Sequence, residues 1–129
     1  MNKYTIPNII TFVICLQFFT LIGQVGQPFI HDPSTIIECE GKYYTFGTGG
    51  GGLISSDGWT WYGGGVRPGG GAAPDVIKIG DKYLVAFGAT GGSPNHKGAI
   101  LTMWNKTLDP QSPDFKYSEP IVVDRKSVV

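Results

Sequence analysis

The sequence has no net charge and almost no cysteine. Its ten basic and ten acidic residues give a formal net charge of zero, so there is no excess of positive charge to favour nucleic acid or an anionic membrane as a partner. Only two cysteines are present, Cys15 and Cys39. Because Cys15 falls in a predicted targeting segment, the mature chain keeps only Cys39 and cannot form an internal disulfide. We expect Cys39 to be a small buried core residue.

The sequence also lacks helical periodicity. Outside the first 26 residues, no window of twelve residues repeats its apolar positions with the period of a helix. Twenty glycines and nine prolines, with 12% aromatic residues, are instead typical of tight turns and short strands. The predicted fold class is therefore all-β. Runs of β-branched and aromatic residues bounded by turn residues predict strands at 34–39, 43–47, 53–56, 76–79, 83–87, 99–104 and 121–123.

Residues 1–26 are predicted to be a secretory signal peptide. Lys3 gives a basic start, and residues 9–22 form a mostly apolar run of 14, which is short for a membrane span but suits the core of a signal peptide. Small residues follow, so we expect cleavage near Gly23 or Gly26 and a secreted or periplasmic protein without a membrane anchor. The alternative interpretation is a buried strand or an uncleaved anchor.

The mature part contains an internal repeat. GKYYTFGTGG (residues 41–50) aligns with DKYLVAFGATGG (residues 81–92), and the Lys-Tyr pair recurs after 40 residues. A repeat of about 40–50 residues built only from strands is typical of a β-propeller blade, although two hairpins of a β-sandwich can look alike. A propeller needs at least about four blades to close. Residues 27–123 supply material for about two, so we expect them to be the N-terminal part of a larger propeller.

The last six residues, DRKSVV (124–129), follow a strand-like run that stops abruptly. They can be encoded by the start of a common sequencing-adapter oligonucleotide read in frame. We interpret them as a non-native tail, the alternative being a genuine charged terminus.

Several motifs have structural interpretations that outweigh functional ones. Residues 47–52 satisfy G-x-G-x-x-G, but strand and turn follow them rather than the helix that a dinucleotide site requires, so we interpret them as a loop. Trp59 and Trp61 are expected on one strand face, as inter-blade packing rather than a platform for sugar rings. His96 has too few histidine neighbours for a zinc site. Residues 105–107 form an N-x-T sequon, interpreted as part of a polar turn.

His31-Asp32-Pro33 is the most informative motif. Pro33 biases Asp32 towards an extended backbone at the start of a strand, which would aim its carboxylate at the end of the sheet where blades converge. A carboxylate there can deprotonate a water molecule. Asp75 holds the equivalent place in the second repeat, so the two suggest a pair of carboxylates facing one cavity, as in glycosidases. The alternative is an Asp that caps a turn.

Five motifs between Phe29 and Val123 resemble the opening of glycoside hydrolase family 43, most of all its arabinan endo-1,5-α-L-arabinosidases. In chain order they are HDPSTIIECEGKYYTF, SSDGWTW, APDVIKIGDKYLVAF, GAILTMWNKTLDP and FKYSEPIVV. The resemblance implies a five-bladed β-propeller and an inverting glycosidase, with about three blades absent from this chain.

The resemblance also assigns roles to individual residues. The Asp of the family's His-Asp-Pro motif is the general base and corresponds to Asp32, whereas the pKa-tuning Asp and the acid Glu come from later blades. Asp75 corresponds to an Ala-Pro-Asp motif that is not catalytic, so the resemblance replaces the Asp32–Asp75 pair with Asp32 alone. His31, Asp75 and Gly92 are expected to contact substrate. Ala72 stands where the family usually has Trp.

The implied protein is an exported hydrolase of arabinan or an arabinose-containing polysaccharide, monomeric at full length and inactive as this fragment. No cofactor is expected to be required and no metal ligand is expected in this chain, although calcium in the propeller channel is possible in the full-length protein. Three alternatives remain: a β-xylosidase or α-L-arabinofuranosidase of the same family, a carbohydrate-binding propeller without catalysis, and a stand-alone structural protein.

Overall fold

The computed structural model describes residues 23–67, 70–89 and 98–125. Within these ranges it contains nine strands and no helix. The strands are β1 (Val25–Gly26), β2 (Ile37–Cys39), β3 (Lys42–Phe46), β4 (Gly52–Ser55), β5 (Thr60–Gly63), β6 (Ala72–Ile79), β7 (Lys82–Gly88), β8 (Ala99–Asn105) and β9 (Ile121–Arg125). The predicted all-β class is confirmed. No helix long and apolar enough to cross a membrane occurs in these three ranges.

The strands form two sheets that follow each other along the chain. The first has the order β1-β5-β4-β3-β2, in which β2 to β5 form an antiparallel meander and β1 adds in parallel to β5. The second has the order β6-β7-β8-β9 and is antiparallel throughout. Strands β3 and β7, which carry the two repeated Lys-Tyr segments, hold the second position of their meanders. The internal repeat therefore corresponds to two successive four-stranded meanders, β2 to β5 and β6 to β9.

Ser34 explains why β2 is shorter than the predicted strand at 34–39. The Ser34 N–H donates to the Phe46 carbonyl at 2.7 Å, but the Phe46 N–H donates to the Ser34 hydroxyl at 2.9 Å instead of to a backbone carbonyl. The side chain thus replaces one rung of the ladder, and regular pairing begins only at Ile37. The sequence patterns also did not predict β1 or β5 as separate strands.

The apolar core lies between the two sheets. Alternate residues of β3 point to the second sheet, and the same alternation in β6, β7 and β8 supplies the opposite wall. The buried side chains of this core are Cys39, Tyr44, Phe46, Val76, Tyr83, Val85, Phe87, Ala99, Leu101, Met103 and Leu108. Cys39 is 1% exposed, so its predicted position in the core is confirmed.

Polar contacts join the two sheets beside this core. The Lys42 ammonium lies 2.6 Å from Asp109 Oδ2. The hydrogen bond from Lys42, together with one from the Gln111 N–H, lowers the pKa of the Asp109 carboxyl group. The Leu108 N–H donates to Cys39 Sγ at 3.3 Å. These contacts tie the segment after β8 to the hairpin between β2 and β3.

The sequon is part of this buried connection rather than a polar turn. Asn105 and Thr107 are both buried. The Asn105 Oδ1 atom accepts hydrogen bonds from the N–H groups of Thr107 (3.4 Å) and Lys116 (3.2 Å). The polar-turn interpretation of residues 105–107 is therefore wrong, because the amide satisfies backbone groups as the chain leaves β8.

Trp59 and Trp61 do not share a surface. Trp61 lies on β5 and is 3% exposed, whereas Trp59 precedes the strand and is 47% exposed. Asp57 causes the difference, because its carboxylate accepts the N–H groups of Trp59 and Thr60 at 2.8 and 2.6 Å and holds Trp59 in the turn. The expectation that the two indoles lie on one face is wrong.

The second sheet leaves one apolar face uncovered. Residues that alternate with the core positions of β6 to β9 point away from the first sheet. Four of them are exposed isoleucines: Ile77, Ile79, Ile100 and Ile121. An apolar sheet face of this kind is normally covered by another element of the protein.

We predict that the chain without its predicted signal peptide self-associates through this face. Replacing Ile77 and Ile100 together with Lys should shift the population towards monomer, because two buried ammonium groups oppose association. Val66→Lys, on an exposed loop residue, is the control and should leave association unchanged. Analytical ultracentrifugation measures the outcome, and a wild-type monomer that unfolds cooperatively would contradict the prediction.

Candidate active site

The His31-Asp32-Pro33 motif forms a strained turn. Asp32 has a φ of 47°, so the predicted extended backbone is wrong and the residue occupies the left-handed region. Asp tolerates this region better than most residues. The Thr48 N–H donates to the His31 carbonyl at 2.9 Å and holds the turn from the neighbouring loop. A tertiary contact therefore overrides the local preference that Pro33 imposes.

The Asp32 carboxylate is held through only one of its two oxygens. Oδ2 lies 2.9 Å from His31 Nδ1 and accepts the Thr48 hydroxyl at 3.0 Å. No group in the described part of the chain bonds to Oδ1. With the side chain of Asp32 50% exposed, this oxygen can reach a water molecule.

Thr48 connects this turn to the second sheet. Its hydroxyl oxygen accepts the Ala73 N–H at 2.9 Å while its hydrogen goes to Asp32. Ala73 also has a positive φ, 44°, which aims its N–H at the loop. Sequence reasoning missed Thr48 as a site residue, although it stands in the repeated Thr-Gly-Gly exit of β3.

Asp75 lies on the second sheet but reaches the segment that follows Asp32. Its Oδ1 accepts the Thr35 N–H at 3.0 Å. Partial burial raises the pKa of Asp75, but hydrogen bonds from Thr35 and from the Val76 N–H outweigh it, so the pKa lies below its ordinary value. This carboxylate therefore fastens one sheet to the other. The repeat alone had suggested a different role for Asp75, as a catalytic partner of Asp32.

A cleft of about 490 Å³ is lined in part by His31 and Thr48, the two residues that contact the Asp32 carboxylate. His31 and Thr48 line one side, and the exposed ring of Phe29 lines another. The glycine loop 47–52 forms much of the wall, and its predicted nature as a loop between strands is confirmed. Gly47 has to be glycine, because a Cβ there would meet the His31 carbonyl at 2.9 Å. The cleft thus combines an imidazole, a hydroxyl and an aromatic ring, and the Asp32 carboxylate contacts the first two of these groups.

Arg67 is a second residue that sequence reasoning missed. It is 4% exposed, and its guanidinium lies 4.4 Å above the centre of the Phe87 ring. Its Nη2 donates to the carbonyls of Gly47 (3.4 Å) and Gly71 (3.2 Å), and Nη1 donates to that of Gly70. Burial lowers the pKa of Arg67. No local motif marks this role, because the contacts join the loop after β3 to the connection between β5 and β6.

The remaining predicted positions are placed as follows. Gly92 and His96 lie outside the described residues, as do residues 1–22 of the predicted signal peptide and residues 126–129 of the predicted tail. Val25–Gly26 and Asp124–Arg125 pair as strand residues. Ala72 begins β6 and offers no aromatic surface.

No metal site is found in the described ranges. None of their His, Cys, Asp and Glu residues form a group of three or more that could hold an ion. These residues therefore do not fit the channel calcium, whose protein ligand the family resemblance places in later blades.

Solved structures of arabinanases share this fold. An exo-1,5-α-L-arabinanase from a bovine ruminal metagenomic library is 33% identical over 75% of this chain, with a TM-score of 0.63. The Cellvibrio cellulosa α-L-arabinanase, solved with arabinohexaose, is 24% identical over 81%, with a TM-score of 0.62. A GH43 endo-arabinanase from Bacillus licheniformis is 24% identical over 80%, with a TM-score of 0.55. Comparison with protein-family models gave no match, nor did comparison with curated proteins.

The chain spans 36%, 37% and 40% of these three solved chains. The predicted fold class is confirmed: the chain matches part of the five-bladed β-propeller of these enzymes. The predicted resemblance to arabinanases of glycoside hydrolase family 43 is confirmed as well.

We predict that Asp75 stabilises the junction of the two sheets in a pH-dependent way. Because its folded pKa is depressed, its contribution is present above about pH 4, the ordinary pKa of Asp, and is lost as the pH falls through the lower folded value. In the full-length protein, Asp75→Ala should lower the free energy of unfolding at pH 7 by about 1 kcal/mol.

Urea denaturation at pH 7 and at pH 3 measures this difference. The difference in the free energy of unfolding between wild type and Asp75→Ala should be smaller at pH 3 than at pH 7. Asp114→Ala is the control, because the described part of the chain shows no hydrogen bond to its exposed carboxylate. An equal loss of stability at both pH values would contradict the assignment.

Proposed function

We propose that this chain, which resembles arabinanases of glycoside hydrolase family 43, carries the general base of an inverting hydrolase that cleaves α-1,5-linked arabinan. The observation that carries the proposal is the half-exposed Asp32 carboxylate, which contacts His31 and Thr48 of the cleft wall through Oδ2 and leaves Oδ1 open. The 33% identity to an exo-1,5-α-L-arabinanase supports the choice of substrate.

In this mechanism Asp32 Oδ1 accepts a proton from a water molecule. The water oxygen forms a bond to the anomeric carbon as the glycosidic carbon–oxygen bond breaks, and the configuration inverts. A carboxylic acid outside this chain protonates the departing oxygen, and it must lie roughly 6.5–9.5 Å from Asp32 to leave room for the water. Asp75 does not fit that role, because its carboxylate already binds Thr35.

The cleft suits a sugar in the way the mechanism requires. The Phe29 ring is exposed and can lie against an apolar sugar face, while His31 and Thr48 supply polar groups beside Asp32. His31 is 80% exposed, so its Nε2 atom is free to meet a hydroxyl while Nδ1 holds Asp32. His31 is therefore a proposed substrate-facing group, and Asp32 is the only proposed catalytic residue of the chain.

We predict that Asp32→Asn in the full-length protein lowers kcat on linear α-1,5-arabinan by roughly 10²–10⁴-fold, the usual contribution of a general base. The amide has nearly the same shape but cannot take up the proton. Reducing-sugar release measures the rate, and NMR of the first product reports the inverted anomer. Asp114→Asn is the control and should keep wild-type activity.

Other outcomes would redirect the proposal. Faster hydrolysis of aryl β-xylosides or aryl arabinofuranosides than of arabinan would favour a xylosidase or arabinofuranosidase. Binding of arabinan in affinity electrophoresis without hydrolysis by the wild type would favour a non-catalytic propeller. An Asp32→Asn variant that keeps full activity would contradict the assigned base.

We also propose that the protein is exported and that its signal peptide is cleaved near Gly23 rather than Gly26. Cleavage after Gly26 would remove Val25–Gly26, whose backbone pairs in parallel with Thr60–Trp61. The Gln27 N–H would keep its 2.7 Å bond to the Trp61 carbonyl, but β1 would be lost. Mass spectrometry of the secreted protein should find Val25 in the mature chain, and a mature protein that begins at Gln27 would contradict this.

A further inference from the structure

Arg67 is a buried cation without a carboxylate partner in the described part of the chain. The two ion pairs found there join His31 to Asp32 and Lys42 to Asp109. Placing a cation in a core is unfavourable unless it is well satisfied. The two Nη atoms of Arg67 donate to three backbone carbonyls and the guanidinium lies over Phe87, while Nε is buried without a partner in the described residues. These contacts make Arg67 a connector of loops.

The loops that Arg67 holds are the ones that build the site. Its Nη2 bonds the carbonyls of Gly47 and Gly71. Gly47 directly precedes Thr48, and Gly71 lies two residues before Ala73. Backbone bonds complete the junction, since the Gly49 N–H donates to Gly71 at 2.8 Å and the Arg67 N–H donates to Gly50 at 3.0 Å. A single guanidinium thus sets the separation of the two segments that meet at the Thr48 hydroxyl.

The Thr48 hydroxyl has a defined direction because of this junction. A hydroxyl has one hydrogen to donate and lone pairs to accept with. The Ala73 N–H donates to the Thr48 hydroxyl oxygen at 2.9 Å, and the Thr48 hydroxyl donates to Asp32 Oδ2 at 3.0 Å. The Thr48 hydroxyl donates to Oδ2 and His31 Nδ1 lies 2.9 Å from the same oxygen, so Oδ1 is the oxygen that faces water.

We propose that Thr48 and Arg67 are positioning residues for the base: Thr48 orients the Asp32 carboxylate directly, and Arg67 holds Thr48 and Ala73 in register for that contact. The inference rests on the proposed role of Asp32 and extends it to residues from the loops of both sheets. It also predicts that the base is correctly oriented only when the second sheet is docked.

Thr48→Val in the full-length protein is the first test. It removes the hydroxyl but keeps the branched shape, so kcat on α-1,5-arabinan should fall by about 10- to 100-fold, the effect of losing a hydrogen bond to a charged group. Affinity for an arabino-oligosaccharide, measured by titration calorimetry on the Thr48→Val protein, should change less than about threefold. Thr48→Ser restores the hydroxyl and should recover most of the activity.

Thr60→Val is the matched control. Thr60 also donates its hydroxyl to an aspartate, Asp57 Oδ2, at 2.9 Å, but it lies on β5 at the far side of the first sheet from β2. Loss of that bond should leave kcat at the wild-type value. A drop in kcat of the same size as in Thr48→Val would show that lost stability, and not orientation of Asp32, explains the effect.

Arg67→Lys and Arg67→Met form the second test. Lys keeps the charge but lacks the planar fork that donates to several carbonyls. Both variants should therefore have a lower kcat than wild type, and Arg67→Met, which also lacks the charge, should have the lowest. Circular dichroism identifies variants that fail to fold, in which case Thr48→Val and Thr48→Ser decide alone. Wild-type kcat in Thr48→Val, with Asp32→Asn inactive, would overturn this proposal and leave the base assignment standing. Full activity in Asp32→Asn would overturn the proposed function first.

Discussion

Tyr44 and Phe46 of the first sheet share one buried core with Val85 and Phe87 of the second, and this apolar contact holds together the two sheets that supply the site residues. Burying each of these side chains contributes roughly 1.5–3 kcal/mol. The contact brings the loop after β3 beside the start of β6, where Thr48 meets Ala73. Phe87 also carries the guanidinium of Arg67, so the core and the site share one residue.

The site shows how a short chain segment can hold an unfavourable conformation. Asp32 has a positive φ before a proline, which local sterics disfavour. Contacts to Thr48 hold it through both the backbone and the side chain. Since strained backbone persists only where the surroundings fix it, the geometry of Asp32 belongs to the two-sheet assembly and not to the motif alone.

Sequence reasoning predicted the elements that depend on local pattern. The strand-rich class, the repeat and the burial of Cys39 follow from the alternation of apolar residues and from the turn residues. Asp32 was identified from the His-Asp-Pro motif. The backbone of Asp32, the split surroundings of Trp59 and Trp61, and the buried role of Asn105 depend on tertiary hydrogen bonds. Thr48 and Arg67 were missed for the same reason. The partners of Thr48 lie 16 and 25 residues away, and those of Arg67 lie in two separate glycine-rich loops.

An experimental structure of the full-length protein bound to an arabino-oligosaccharide is the most direct test of Asp32 as the general base. We predict that Asp32 Oδ1 lies within hydrogen-bond distance of a water molecule aligned with the anomeric carbon, while Oδ2 keeps its contacts to His31 and Thr48. A sugar bound away from the cleft, or an Asp32 carboxylate turned from the anomeric carbon with Thr48 bonded elsewhere, would contradict it.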